Sequence, residues 1–304
     1  MTKTLHILNG DSTLDKFKVS GISGDTYVWK EVLSEGPVDT EFASDSFWHQ
    51  RNEYMTRAFG LKTGEYFEVG QKPFQDMAQS VSEYSEIVLW FEYDLFCQIN
   101  MIALIHWLNK ADYKGTASLV CAGKIDGSDK LYALGEIKTE DYQKLFDSRL
   151  KIGSREFDYA NDIYEVYTSN LPEDLFNFVL MPFAELPYLP AALESHFKRF
   201  PSVQTGLTEI EEQLIAFIQE GTLDRTKLIG KMLRWQESQG FGDLQYANIL
   251  DRLKPLFEDF DTLKLKKAID ASLIDRRYYL GGANVNEWLW DQEQETLIPK
   301  EPAS

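Results

Sequence analysis

Asp11, Glu35, Glu92 and Asp94 share a setting: each stands in a polar turn just beyond a short apolar run that reads as a β-strand. Carboxylates so placed can exchange protons with a substrate or hold a divalent cation through oxygen. Asn9 and Ser12 flank the first of them in the turn Asn9-Gly10-Asp11-Ser12, and Gln98 lies one helical turn beyond Asp94. The expected assignment is therefore Asp11, Glu92 and Asp94 as catalytic groups, with Asn9, Ser12, Glu35, Arg51 and Gln98 binding substrate. Carboxylates brought together repel one another and raise their own pKa values unless a cation shares the space. Either a bound divalent cation or Arg51, on the apolar side of its helix, is expected to supply that charge, and the cofactor is otherwise unknown. The alternative for Arg51 is a side chain packed by its stem with its head in water.

The elements that must position these groups are legible from periodicity. Residues 87–91 (IVLWF) form an apolar run suited to a strand buried on both faces, and Leu95, Ile99, Ile102 and Leu108 then fall near helical spacing, predicting a helix over 96–109. Residues 4–8 predict a first strand with a helix at 14–19 after it, residues 26–33 a second strand, 47–59 an amphipathic helix, and 66–84 a helical passage broken near Gly70 and Pro73. Residues 117–122 predict the fourth strand, followed by a polar loop at 123–129. Strands alternating with helices in this way predict a mostly parallel sheet, and ligands of such sheets bind outside the carboxyl ends of the strands.

A structural reading stands beside the functional one at the acidic turn. Asp94 is well placed to cap the following helix, where its charge suits the positive end of the dipole, and Glu92 can be a solvated rim residue. Other chemistries find little support. NGDS has neither GxGxxG nor the Walker lysine, no GxSxG elbow occurs, and the four histidines lack ligand spacing. Cys97 and Cys121 lie in apolar stretches and read as reduced core thiols.

With 304 residues, 43% of them hydrophobic, the chain can bury a sizeable core and favours two domains. A formal net charge of −18 argues against nucleic acid and against an anionic membrane surface. No signal peptide or long apolar segment is evident, so a soluble cytoplasmic protein is expected.

Further along, residues 139–150 and 163–180 read as helical or mixed, and prolines 182, 187 and 190 punctuate a connector into a helix at 191–199. Thr208 and Glu211 form a capping box at the start of a helix over 208–220, and helices at 227–236 and 244–256 follow. Residues 276–280, Gly281-Gly282 and residues 288–291 predict a β-hairpin. Three helices and a hairpin have the element order of a winged helix, whose DNA contact would come from the 244–256 helix with Arg252 and Lys254. A lid or interaction domain is the other reading, and the acidic surroundings favour it.

The N-terminal phrases HILNGDS, VWKEVLSEGPV and VLWFEYDLFCQ resemble the bacterial family catalogued as domain of unknown function eighteen thirty-five, whose pattern runs NGDS, WRDVLxEGPV and WFExDLxxQ. Asn9 to Ser12, Trp29 to Val38 and Trp90 to Gln98 carry the match, with Lys30 and Glu31 where the family has Arg and Asp. The phrase RFPSxxxGLTxxE and a terminal YxLGG of its accompanying C-terminal domain match Arg199 to Ser202, Gly206 to Glu209 and Tyr279 to Gly282. The family has no established activity, so the resemblance implies kinship without chemistry.

The expected protein is α/β, with a mostly parallel Rossmann-like sheet in an N-terminal domain (1–135) carrying the site at its strand ends. A helical connector (136–206) and a mainly helical, winged-helix-like C-terminal domain (207–304) complete it. The favoured function is an enzyme, hydrolase or transferase, acting on a small polar or phosphorylated substrate. The alternative is a noncatalytic regulator that engages a protein partner through its C-terminal domain. A polar pocket at the carboxylates would favour the first, and an exposed apolar or basic patch on the C-terminal domain the second.

Overall fold

The computed structural model describes residues 3–125, 128, 130–182 and 184–301; part of the polar loop expected at 123–129 lies outside them. A five-stranded sheet forms the frame. Its strands are β1 (Thr4–Asn9), β2 (Asp25–Trp29), β4 (Glu86–Glu92), β5 (Thr116–Ala122) and β6 (Leu150–Ile152), and between β2 and β4 the two-residue β3 (Gly36–Pro37) stands apart. The order is β2-β1-β4-β5-β6, with the first four strands parallel and β6 antiparallel at the edge. The mostly parallel sheet expected from the apolar runs is therefore present. Strand β2 ends at Trp29, short of the expected residue 33, because Lys30 to Gly36 turn away to meet a buried arginine described below.

The β4 sequence explains its central place. Ile87, Leu89 and Phe91 join Leu5 and Ile7 in the larger apolar core, while Val88 and Trp90 join Leu8 and Val120 in a smaller one on the opposite face. This is the period-two alternation of a strand covered on both sides. Helices α1 (Asp11–Val19), α2 (Asp45–Phe59), α3 (Lys72–Ser80), α4 (Leu95–Lys110) and α5 (Tyr142–Asp147) surround the sheet, and a π-helical turn at Phe67–Gln71 precedes α3. Helix α4 is apolar all round and buried from Cys97 to Leu108. A helix of that composition must be enclosed, and α6 (Ser154–Tyr167), α7 (Phe176–Leu180) and α8 (Leu189–Phe197) add the outer layer, with α6 and α8 packed directly on α4.

A separate apolar core runs from Leu207 to Ile274. It is built by α9 (Glu209–Gln219), α10 (Arg225–Trp235) and α11 (Asp243–Arg252), followed by the small antiparallel pair β7 (Phe257–Asp259) and β8 (Lys264–Leu265). The Thr208–Glu211 capping box forms as expected. The chain then returns to the larger core, to which Leu280, Val285, Trp288 and Leu297 belong.

The hairpin expected between residues 276–280 and 288–291 does not form. Strand β9 (Tyr279–Gly281) pairs in parallel with β3 and antiparallel with β10 (Ala283–Asn284), while β11 (Trp288–Asp291) pairs with β12 (Thr296–Pro299). Gly281-Gly282 forms the tight turn between β9 and β10 and also makes a close approach: side chains there would meet the Tyr167 and Thr168 carbonyl oxygens at 2.2 and 2.1 Å. Among the described residues no helix is long and apolar enough to cross a membrane.

Candidate functional site

The chain leaves β1 toward β2 on one side and reaches β4 on the other, so the strand order reverses between β1 and β4. Their carboxyl ends flank the crevice where ligands of open parallel sheets bind. Asn9, Glu92, Asp94 and Gln98 do gather there. The Asn9 amide donates to Cys97 Sγ at 2.9 Å, and the Gln98 amide donates to the Glu92 carbonyl at 2.6 Å and to Cys121 Sγ at 3.4 Å. The link through the two thiols could not be read from sequence, since each cysteine sits in an unremarkable apolar run.

The helix end at this crevice is already filled. Asp94 is the N-cap of α4, its Oδ1 accepting from the Cys97 N–H at 2.8 Å. The preceding two N–H groups donate to the connection between α10 and α11, Leu95 to the Ser238 carbonyl at 2.7 Å and Phe96 to that of Gln239 at 3.2 Å. The donors that would greet an anion at a helix start are thus taken by the chain itself.

Glu92 accepts the Leu134 N–H at 2.8 Å. Burial, and secondarily the charge of Asp94, push its carboxyl up to about 7. Burial raises Asp94 to about 6, against the pull of the Cys97 N–H. Glu92, Asp94 and Cys97 bring ligand atoms within 4.8 Å of one another, yet all three residues are engaged by internal hydrogen bonds. Asp11 is apart from this group, with a side chain 68% exposed and paired to Lys30 at 3.0 Å. Ser12 is exposed beside it.

Arg51 does not face the acidic turn. It is fully buried, its Nε and Nη2 donating to Glu31 Oε2 at 3.1 and 2.8 Å, while its remaining donors reach the carbonyls of Val32, Glu35 and Pro37 at 2.9, 2.7 and 3.1 Å. The Tyr66 hydroxyl donates to the other Glu31 oxygen. A guanidinium supplies five donors in a planar fork, and this one spends them on Glu31 and the loop that follows it. The positive counterpart expected for Asp11, Glu92 and Asp94 is therefore the clasp of the Glu31–Pro37 loop, and through it Arg51 fixes the backbone of Glu35.

Glu35 faces a different opening. A cleft of 230 Å³ lies between α2 and α11, with Glu35, Tyr54, Arg57, Arg199, Arg252 and Tyr278 among its walls. Arg57 comes from α2, Arg199 from the segment after α8, and Arg252 from the end of α11. Three arginines and one carboxylate thus line the cleft, an excess of two positive charges in a chain whose net charge is −18.

Arg199 is held by the Ser34 carbonyl at 2.5 Å and lies 4.9 Å over the Phe241 ring. Arg252 stacks 4.5 Å over Tyr278, and among the described residues its Nε has no hydrogen-bond partner. The cleft straddles the two cores, since Asn248 of α11 donates to the Ala58 carbonyl of α2 at 2.7 Å and Gln245 reaches Glu35. Sequence reasoning named Glu35 but missed this setting, because the arginines lie 57, 199 and 252 along the chain and no local spacing joins them. No protein-family model matches the chain, and no curated protein matches it.

Proposed function

We propose that the protein binds a small phosphomonoester in the arginine-lined cleft between its two cores. The observation that carries this reading is the convergence of Arg57, Arg199 and Arg252, from three separate elements, on one cleft where a single carboxylate opposes them. A phosphomonoester carries close to two negative charges at neutral pH, which matches the excess, and guanidiniums suit its oxygens geometrically. A volume of 230 Å³ suits a small metabolite and is below the usual range for drug-sized ligands.

The substrate class expected from sequence is kept, and its place moves from the acidic turn to the cleft. The phrases that resemble the family of unknown function supply several walls: EGPV gives Glu35, RFPS gives Arg199, and the run that ends in LGG gives Tyr279 and Leu280. In this reading the parallel strands form a Rossmann-like frame, and the three helices with β7–β8 form a winged-helix-like unit whose Arg252 serves the cleft rather than DNA. Enzyme and small-molecule regulator share this binding step, and a turnover assay on any ester that binds separates them.

Thermal unfolding in inorganic phosphate against chloride, at constant ionic strength, tests the reading, because a ligand of the folded state alone raises its midpoint. Phosphate should stabilise the wild type and lose its effect in Arg252→Gln. Equal midpoints in the two salts, together with no response to any phosphate ester, would exclude the cleft as an anion site.

A further inference from the structure

We propose that the ligand of this cleft carries a hydrogen-bond donor, a hydroxyl or an ammonium, beside its phosphate, and that Glu35 reads it. The inference rests on the anion-binding reading above and narrows it to small hydroxylated or aminated phosphomonoesters.

Glu35 differs from the other carboxylates that are buried against an arginine. Arg276 grips Glu211 with two bonds of 2.5 and 2.7 Å, and Arg51 holds Glu31 at 2.8 and 3.1 Å with the Tyr66 hydroxyl on the other oxygen. These are closed pairs. Arg199 instead places Nη2 3.4 Å from Glu35 Oε1, beyond the usual N–H···O distance, and gives its shortest bond to the Ser34 carbonyl. Among the described residues, the second Glu35 oxygen takes only the Gln245 amide, at 3.2 Å.

An ionised carboxylate offers about four acceptor sites, so Glu35 keeps unused capacity while only 7% exposed, in the wall of the cleft. Had its role been to neutralise Arg199, the bidentate geometry seen at Arg276 would serve better. Arg199 is pinned by Ser34 and Phe241 in a position that leaves Glu35 loosely held.

The selective effect follows from charge. A carboxylate inside an anion site repels a ligand that offers it only oxygens or carbon, and attracts one that offers it a donor. Sites built to pair a substrate's OH or NH reject the analogue that lacks it far more strongly than an apolar pocket rejects a missing methylene. The three guanidiniums hold the phosphate and Glu35 selects what is attached to it.

Calorimetric titration of the full chain with propyl phosphate, glycerol phosphate and phosphoethanolamine, at constant ionic strength, tests this. At least one donor-bearing ester should bind about tenfold tighter than propyl phosphate, the effect of one hydrogen bond to a charged group. Glycerol phosphate against phosphoethanolamine tells hydroxyl from ammonium. In Glu35→Gln that advantage should shrink to about threefold or less, while propyl phosphate binds as well or better because a negative charge has left the cleft. Equal binding of the three esters by the wild type overturns the inference and leaves the anion-binding reading intact. Failure of all three and of inorganic phosphate removes both. The wild-type ranking decides even if Glu35→Gln does not fold.

Discussion

Gly240 lies against Asp94 so closely that a methyl group on its Cα would stand 2.2 Å from the carboxylate carbon. The contact joins the helical unit of α9 to α11 to the sheet at the start of α4, and it explains why the acidic turn is closed. Ser238 and Gln239 present their carbonyls to the first turn of α4 from the same segment, and Gly240 adopts a φ of +69° immediately after them.

Gly240→Ala should therefore be costly. The substitution adds a Cβ where the backbone is left-handed and where a carboxylate already fills the space, so a destabilisation of about 2–4 kcal/mol is expected. Urea unfolding measures it. A loss below about 0.5 kcal/mol, the level of an ordinary surface change, would mean that the loop does not seat on Asp94.

The Arg51–Glu31 pair yields a second test. Arg51→Met should cost about 3–5 kcal/mol, because it leaves Glu31 buried without its cation and frees three carbonyls of the clasped loop. Combining it with Glu31→Leu should recover part of that loss, since the unpaired charge is then gone. A double variant as unstable as the sum of the two singles would show that the residues act independently.

Much of the frame could be read from the sequence because local rules and tertiary structure agree there. The run Ile87 to Phe91 alternates between two cores, α4 is apolar on every side, and Thr208 with Glu211 caps α9 as its spacing predicts. The failures lie where distant segments decide the outcome. Gly281-Gly282 does turn the chain, but the strand it turns into is Ala283–Asn284, while residues 288–291 pair with the distant 296–299. Arg51 looks like a cleft residue until its partner is found to be Glu31, twenty residues earlier in a stretch that reads as strand and gives no sign of a buried carboxylate. The cleft itself has no local signature, since its charges are set by the docking of α11 on α2. At the acidic turn the same sequence features allowed a cap or a site, and Asp94 does cap α4.

Glu92 sets the last prediction, on pH. Its carboxyl is raised to about 7 and that of Asp94 to about 6, chiefly by burial. A raised folded pKa means that the folded state holds its proton more firmly than the unfolded chain, so stability falls as pH rises between the two values. The contribution is full below the ordinary glutamate value of about 4, where both states are mostly protonated, and is lost as pH passes through about 7, the folded value for Glu92. Glu92→Gln removes the ionisation but keeps an oxygen that can accept the Leu134 N–H. The variant should match the wild type near pH 4 and be more stable by on the order of 2 kcal/mol at pH 8. Chemical denaturation of both proteins across that range measures the difference, in which titrating groups other than the coupled Asp94 largely cancel. A difference that stays constant with pH would show that Glu92 ionises at its ordinary value in the folded protein.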